Sequence, residues 1–211
     1  MHTTRVGLLA GLSSLVVLAA CGESSVSLES SGRVRIILSD APADYLATAE
    51  VCLSSVYLQP SDDDGAEEGT GTQRIVLWEK AEGPAQCFDL LQLQGVGAQV
   101  SETTVPAGSY AQLRFVVESA TVTLAEGYTF SDGETTTMPL TVPSGARSGI
   151  KVTLLEPVQV EAQTVTEVAV DADVNANFVL QGNPETPAGI HGVLFTPSLM
   201  QLEPGAVPPV G

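Results

Sequence analysis

Apolar and polar residues alternate along most of the chain beyond residue 32, and this period of two predicts β-strands. Val34, Ile36 and Leu38, for example, alternate with Arg33 and Arg35. Similar alternation, or a run rich in Val, Thr and Leu between turn residues, predicts further strands at 51–57, 74–78, 111–124, 150–155, 158–162, 164–171, 177–180 and 192–202. No stretch has an apolar stripe of helical period longer than two turns. The sequence therefore predicts an all-β fold, a single antiparallel β-sandwich-like domain.

The first 20 residues have a different character. Arg5 is the only basic residue before Arg33, and it precedes an apolar run from Val6 to Leu18. A bilayer-spanning helix needs about 20 apolar residues, so this run is too short to cross a membrane. A short basic start followed by a short apolar segment is typical of a secretory signal peptide, here residues 1–20.

The signal peptide ends in Leu18-Ala19-Ala20-Cys21, which resembles the lipobox of bacterial lipoproteins. The resemblance implies cleavage before Cys21, diacylglycerol on its thiol and acylation of the freed amine. Two or three acyl chains on one cysteine hold a protein at a membrane durably, whereas one chain binds only weakly. An ordinary secretory cleavage is the alternative.

Three segments follow the predicted cleavage. Residues 21–31 comprise the lipidated cysteine and a tether with five serines, whose r.m.s. reach is about 17 Å. Residues 32–203 form the predicted folded domain, and residues 204–211, rich in Pro and Gly, are expected to be a disordered tail. Gly22 follows Cys21 where Asp usually favours retention in the inner membrane, so we expect a lipid-anchored protein of the cell envelope, in the outer membrane rather than the inner.

The chain is strongly acidic, with 25 Asp and Glu against 8 Lys and Arg and a formal net charge of −17. Binding to nucleic acid or to anionic lipid head groups normally requires a basic patch, so neither is an expected partner. The membrane, reached through the lipid on Cys21, is the predicted partner. A glycan or an envelope protein remains a candidate ligand.

Apart from Cys21 the chain has two cysteines, Cys52 and Cys87, each in a strand-like stretch. In an oxidising compartment an even pair favours a disulfide. Two buried free thiols are the alternative.

The densest group of carboxylates is Asp62, Asp63, Asp64, Glu67 and Glu68. Ca²⁺ prefers six to eight oxygen ligands, and this segment could supply several. It lacks the ligand spacing of an EF-hand, however, so a solvated loop between strands is the favoured interpretation. A calcium-dependent envelope or adhesion module is the alternative, and no other cofactor is expected.

A second polar group combines basic and acidic residues within strand-like stretches. Arg114 and Lys151 lie in apolar surroundings and are expected to pair with Asp171, Asp173 or Asp40. Asp171 and Asp173, two residues apart on a strand, would face the same side about 7 Å apart. A structural ion-pair cluster is favoured over a ligand site.

Catalytic signatures are absent from the sequence. His191 is the only histidine beyond the signal peptide, and there is neither a Gly-x-Ser-x-Gly elbow nor a His-Glu-x-x-His zinc pair. The predicted role is therefore non-catalytic binding or structure. A carbohydrate-binding module with Trp78 as stacking platform is an alternative, although one Trp among apolar strand residues favours the core.

Several stretches together resemble a bacterial and archaeal family known as domain of unknown function 4382. They are Leu38-Ser39-Asp40-Ala41-Pro42, Phe88-Asp89-Leu90-Leu91, Val105-Pro106-Ala107-Gly108-Ser109-Tyr110 running into Leu113-Arg114, Pro143-Ser144-Gly145, Gly149-Ile150-Lys151 and Val170-Asp171-Ala172-Asp173-Val174. The likeness spans about residues 32–202 in family order. It implies an exported protein, often a lipoprotein, and no particular activity. The acidic segment and the Cys52/Cys87 pair are not general features of that family.

Overall fold

The computed structural model describes residues 30–40, 43–61, 74–81, 83–143, 149–186 and 188–211. These residues contain thirteen β-strands, a 3-10 helix at Leu90–Leu93 and one short α-helix, α1, at Val174–Asn177. The all-β prediction is confirmed. The strands are β1 (Ser31–Ser39), β2 (Leu46–Pro60), β3 (Ile75–Glu79), β4 (Gln86–Asp89), β5 (Ala98–Pro106), β6 (Gly108–Leu124), β7 (Thr137–Leu140), β8 (Ile150–Thr153), β9 (Val158–Val160), β10 (Val165–Asp171), β11 (Phe178–Asn183), β12 (Gly189–Phe195) and β13 (Leu199–Gln201).

Eleven of these strands form one main sheet. Its path runs β3-β2-β6-β8-β13-β10-β1-β5, with β4 paired to β2 and both β7 and β9 paired to β6. Most pairs are antiparallel, but β1 pairs with β10 and β13 with β8 in parallel. The two outermost strands of the path approach each other, since Thr103 Oγ1 on β5 donates a hydrogen bond to Leu77 O on β3 at 2.6 Å. The main sheet is therefore nearly closed around its core.

The core follows from the alternation seen in the sequence. Val34, Ile36 and Leu38 on β1 are buried in it, whereas Arg33 and Arg35 point outward. Aliphatic side chains dominate, and Phe115 is the largest side chain that is almost completely buried. Each fully buried Val, Leu, Ile or Phe contributes about 1.5–3 kcal/mol relative to exposure, so the interdigitated aliphatic residues are the main stabilising element.

An irregularity in β2 changes which residues face the core. Strict alternation predicts Val51, Leu53 and Tyr57 on one face, but the pairing with β6 shifts register between Leu53 and Ser55. Beyond this bulge Val56 joins the core cluster, and Tyr57 lies on the opposite face. The extra residue of a bulge reverses the faces of every residue after it, which explains the error.

The strands give the main sheet two ends, named here from the course of the chain. The proximal end contains Ser31, where the chain enters β1, together with the start of β10. The distal end contains Ser39 and Asp171, the last residues of these two parallel strands. At about 3.3 Å per residue, the two ends of β1 lie about 26 Å apart.

The C-terminal residues lie against the outer face of the sheet. Gly97 N donates a hydrogen bond to Pro209 O at 2.8 Å, and Gly211 N donates one to Gly97 O at 3.1 Å. A Cβ atom at Gly97 would lie 2.3 Å from Ile37 Cγ2 and 3.2 Å from Pro208 Cγ, so only glycine leaves room for this approach. The placement differs from the disordered tail expected for residues 204–211, because Ile37 offers an apolar surface that the tail covers.

No helix within the described part of the chain has both the length and the apolar character needed to cross a membrane.

Candidate functional site at the distal end of the sheet

The distal end is covered by a separate two-stranded sheet, the β11–β12 hairpin. Its inner face is apolar and buried: Phe178 and Phe195 are register partners with ring centroids 5.0 Å apart. Ile190 and Val193 on β12 are buried in the same core cluster. The hairpin therefore closes the distal opening of the main sheet with its inner face.

The outer face of the hairpin is also apolar at its centre, although it faces solvent. Val179 and Leu194 lie directly opposite each other and are 44% and 47% exposed. His191 lies on the same hairpin and is exposed, and its Cδ2 would lie 3.0 Å from a Cβ atom at Gly182. The ring thus packs across the backbone of β11.

A buried asparagine fixes the base of the hairpin. Asn177 is 2% exposed, and its Oδ1 accepts hydrogen bonds from Ser198 N at 2.7 Å and Ser198 Oγ at 3.1 Å. Its Nδ2 donates to Ser198 O at 3.0 Å. In addition, Thr196 N donates to Asn177 O at 2.8 Å. One residue therefore joins the chain entering the hairpin to the chain leaving it.

Two aspartates hold α1, which leads into the hairpin. Asp173 is its N-cap and accepts a hydrogen bond from Ala176 N at 3.2 Å. The buried Asp40, just after β1, accepts one from Val174 N through Oδ1 at 2.8 Å. Both contacts satisfy backbone N–H groups of the first turn, which have no partner within the helix.

Asp171 completes this acidic group at the end of β10. Its Oδ1 lies 3.5 Å from Ser39 Oγ. Burial raises the pKa of Asp171 above its usual value, and the neighbouring Asp173 carboxylate adds to the increase. The predicted residues Asp40, Asp171 and Asp173 are therefore brought together, but as parts of the α1 junction.

The loop after β6 packs beside β12 and adds further carboxylates. Phe130 bridges to Ile190, and Ser131 N donates to Ile190 O at 2.8 Å. In the next turn Asp132 accepts a side-chain hydrogen bond from Thr135 and backbone hydrogen bonds from Thr135 and Glu134, which together lower the pKa of Asp132. The side chains of Asp132 and Glu134 are exposed.

The predicted basic partners lie elsewhere. Arg114 on β6 and Lys151 on β8 are register neighbours, and Arg114 donates to Gln112 Oε1 at 2.8 and 3.0 Å and to Gly149 O at 3.4 Å. Two strands, β8 and β13, lie between β6 and β10. At about 4.8 Å per strand, Arg114 is about 14 Å from the strand that carries Asp171. The structure does not bring the five residues together as one cluster.

A different set of side chains forms an ion-pair ladder, which the sequence did not reveal. Glu102 on β5 accepts from Arg33 at 2.6 Å and from Arg35 at 2.9 Å, and Arg35 donates to Glu167 on β10 at 3.0 Å. The ladder crosses β5, β1 and β10 on the outer face of the main sheet. The hydrogen bond from Arg35 is the main cause that lowers the pKa of Glu102. Only the pairing register could have identified these partners.

The disulfide prediction is confirmed. Cys52 and Cys87 are register partners on β2 and β4 and are bonded, with their Cα atoms 4.0 Å apart. Glu50 lies beside them, and these three are the one group among the described residues whose donor atoms lie close enough to share a metal ion. Because the two sulfur atoms are bonded to each other, the pair does not supply thiolate ligands.

Two predicted sites fall on residues outside the described ranges. They are the lipidation site, Cys21, and the acidic segment of Asp62, Asp63, Asp64, Glu67 and Glu68. Lipid attachment and calcium binding stay predictions.

Trp78 packs against the core cluster and is half-buried. All ten aromatic residues lie in the described part of the chain, and each of their side chains is buried or half-buried. Stacking of sugars requires an exposed aromatic face. This arrangement favours the core interpretation of Trp78 over a glycan platform.

A small cavity lies in the core beneath the hairpin. Its volume is about 30 Å³, enough for one or two water molecules. The lining is apolar, with residues such as Leu38, Phe115 and Phe195, apart from Asn177, whose amide is already bonded to Ser198. This cavity is therefore too small for a ligand larger than water.

The sequence profile of a family described as a domain of unknown function (DUF4382) matches residues 31–186. The match covers the chain from the start of β1 to the tip of the hairpin. No curated protein and no solved structure shows significant similarity to the chain.

Proposed function

The chain belongs to the DUF4382 family, whose name assigns no activity, so we propose its role from its own residues. The protein is a lipid-anchored protein of the cell envelope. Its folded domain binds a partner or serves a structural purpose, without catalysis. The observation that carries this proposal is the ending Leu18-Ala19-Ala20-Cys21 behind a short basic start and an apolar run, the pattern typical of a signal peptide. The described fold begins at Ser30, nine residues beyond Cys21.

The position of the two ends of the sheet supports the proposal. The chain enters the fold at the proximal end, so the anchor would hold that end within about 17 Å of the membrane. The distal end, with the hairpin and its carboxylates, would then face away from the lipid surface. The net charge of −17 disfavours a tight approach to anionic lipids, so the lipid on Cys21 would supply the membrane affinity.

A non-catalytic role is supported by the place of the one histidine in the mature chain. His191 lies exposed on a two-stranded hairpin, whereas a general base usually lies in a cleft with an orienting partner. We also propose the outer membrane as the destination, since Gly22 follows the cysteine.

Metabolic labelling with an alkyne analogue of palmitate tests the anchor. The wild-type protein is expected to incorporate the label and to sediment with the outer-membrane fraction, whereas Cys21→Ser is expected to lose both properties. The matched control is Cys52→Ser/Cys87→Ser, which removes the other two cysteines and should keep the label. Label that persists in Cys21→Ser, or an unlabelled wild-type protein, would refute lipid anchoring.

A further inference from the structure

The segment around the hairpin is almost free of charge in a chain that is otherwise rich in acids. Between Val174 and Leu202 the sequence has one charged residue, Glu185, although 16% of all residues are charged. This segment also places Val179, Leu194 and Met200 on the surface. Exposed apolar residues that adjoin one another in a polar setting indicate an interaction surface.

The hairpin also offers a backbone edge. β11 pairs with β12, and no other described strand pairs with its second edge. Natural proteins usually protect such an edge with Lys, Pro, a bulge or a covering element. β11 has no charged residue and no proline, and its one irregularity lies between Gln181 and Gly182, close to the tip. Within the described ranges, the stretch from Phe178 to Gln181 is therefore an unprotected edge of regular strand.

Carboxylates lie at both ends of β11 and also beyond β12. Asp173 precedes β11 and Glu185 follows it at the tip of the hairpin, while Asp132 and Glu134 lie beside β12. All six described Lys and Arg residues belong to the main sheet or adjoin β3, namely Arg33, Arg35, Arg74, Lys80, Arg114 and Lys151. The surroundings of the hairpin are therefore negative at both ends of β11.

From these features we infer that the hairpin is a docking site for an extended segment of another protein, one with an apolar centre and Lys or Arg at both flanks. The segment adds as a third strand to the free edge of β11, because main-chain hydrogen bonds supply affinity in this mode of recognition. Its apolar side chains pack beside Val179 and extend the apolar face that Val179 forms with Leu194, and its basic flanks face Asp173 and Glu185. The inference deepens the binding role proposed above and rests on it.

Charge complementarity decides between occupants. A second copy of this chain would place its own Asp173 and Glu185 next to those of the first, and like charges across an interface are unfavourable. A basic-flanked strand instead meets carboxylates that have no described basic residue nearby. The attraction acts between exposed groups, so added salt weakens it.

The test measures binding of two fluorescent synthetic peptides to the purified full-length protein in detergent. The probes are Lys-Lys-Val-Thr-Val-Thr-Val-Lys-Lys and the same core with Glu flanks. The Lys-flanked peptide is expected to bind about tenfold more tightly or better, with a preference that declines at high salt. Equal affinities for the two peptides would refute the charge argument.

Substitutions then locate the site. Val179→Lys places a charge in the centre of the surface and is expected to weaken the Lys-flanked peptide about tenfold. The matched control is Val165→Lys on β10, where the valine is 41% exposed but far from the hairpin, and binding should stay within about twofold. Leu194→Lys repeats the test from β12, so that a folding defect in one variant does not decide the result. Unchanged binding in folded Val179→Lys and Leu194→Lys would overturn the assignment.

Charge-neutralised variants complete the test. Glu185→Gln is expected to reduce both the preference for Lys flanks and the salt dependence, whereas Glu134→Gln, on the far side of β12, should leave binding within about twofold. Self-association of the wild-type protein that Val179→Lys abolishes, without peptide binding, would assign the surface to a second copy and refute the inference. A failure here leaves palmitate labelling of Cys21 unaffected, and loss of that label leaves peptide affinity unaffected, so the two failures are distinguishable.

Discussion

The outer face of the main sheet and the outer face of the β11–β12 hairpin differ in the kind of side chains that they present to solvent. Across β5, β1 and β10, Glu102, Arg35 and Glu167 form a continuous ladder of ion pairs. The hairpin presents Val179 opposite Leu194, with no ion pair between its two strands. All described salt bridges and the disulfide belong to the main sheet or its adjoining residues.

The difference shows how this chain uses few basic residues. Cross-strand pairs of opposite charge stabilise a sheet and make its surface unattractive to other strands. With eight Lys and Arg in the whole sequence, such pairs are limited, and the described ones lie on the main sheet. The hairpin is left without them at the distal end, where a free strand edge is available for the binding inferred above.

The largest expected effect comes from the covalent bond in the main sheet. Cys52→Ala/Cys87→Ala removes a cross-link between residues 35 apart, which should cost about 3–4 kcal/mol of unfolding free energy in the chain-entropy model. Urea denaturation with and without reductant measures the effect. Reductant should lower the wild-type midpoint and leave that of the double variant unchanged. Coincident midpoints for wild type and variant would mean that the cross-link does not contribute.

The hairpin has no such cross-link, and the side-chain hydrogen bonds of Asn177 hold its base together. A substitution of Asn177 is therefore expected to destabilise the hairpin. Asn177→Ala removes the three part-buried hydrogen bonds between the Asn177 side chain and Ser198, which should cost about 1–3 kcal/mol. The loss should appear as faster amide exchange in 178–195, with β1 and β10 less affected. Gln181→Ala, an exposed position on the same hairpin, is the control and should change stability by less than about 0.5 kcal/mol. Uniformly faster exchange throughout the protein would contradict a separate hairpin unit.

The ion-pair ladder should contribute less and in a pH-dependent way. Glu102→Gln removes the carboxylate that Arg33 and Arg35 share and should lower the melting temperature slightly at neutral pH. The folded-state pKa of Glu102 is lowered, so its contribution is present above the unfolded-state pKa and is lost as pH falls through the folded-state value. The difference from wild type should therefore vanish in acid and shrink in 1 M salt. The control, Glu126→Gln at an exposed site without a described ion pair, should behave like wild type at every pH.

The smallest expected effect concerns Asp171 and has the opposite sign. Its pKa is raised in the folded state, so its protonated form is favoured there, and the ionised form costs stability at neutral pH. Asp171→Asn should therefore stabilise the protein at pH 7, by about 0.5 kcal/mol or less because the half-buried carboxyl is partly screened by water. The gain should disappear below the unfolded-state pKa of 3.8. Thermal melts at pH 7 and pH 3 compare the two conditions; a loss of stability at pH 7 would contradict the sign.

Much of the main sheet could be predicted from the sequence, because alternation identifies strands whose one face is buried. β1, β6 and β10 are confirmed in this way. β5 was missed, since Ser101, Glu102, Thr103 and Thr104 form a polar run without alternation. The expected strand at 192–202 is broken into β12 and β13 around Pro197, which cannot donate a ladder hydrogen bond.

The contacts between strands were less predictable than the strands. The disulfide followed from the even number of cysteines beyond Cys21, whereas the ion pairs of Arg35 depend on a register that links residues 67 and 132 positions apart. The predicted cluster around Arg114 was wrong for the same reason, since the sequence does not reveal the order of the strands. In the structure β8 and β13 separate the strand of Arg114 from the strand of Asp171. The hairpin surface had one visible signal, the nearly uncharged stretch from Val174 to Leu202.

The parallel pairing of β1 with β10 has a consequence for how the protein folds. The first strand cannot complete its hydrogen bonds until Asp171, at the far end of its partner, is available. Contacts this distant in sequence slow folding, because a long loop must close before the pairing stabilises it. In a chain exported to the cell envelope as proposed, slow pairing would leave the sheet unassembled during translocation and complete it on the far side of the membrane. Slow pairing of the first strand would then be compatible with secretion.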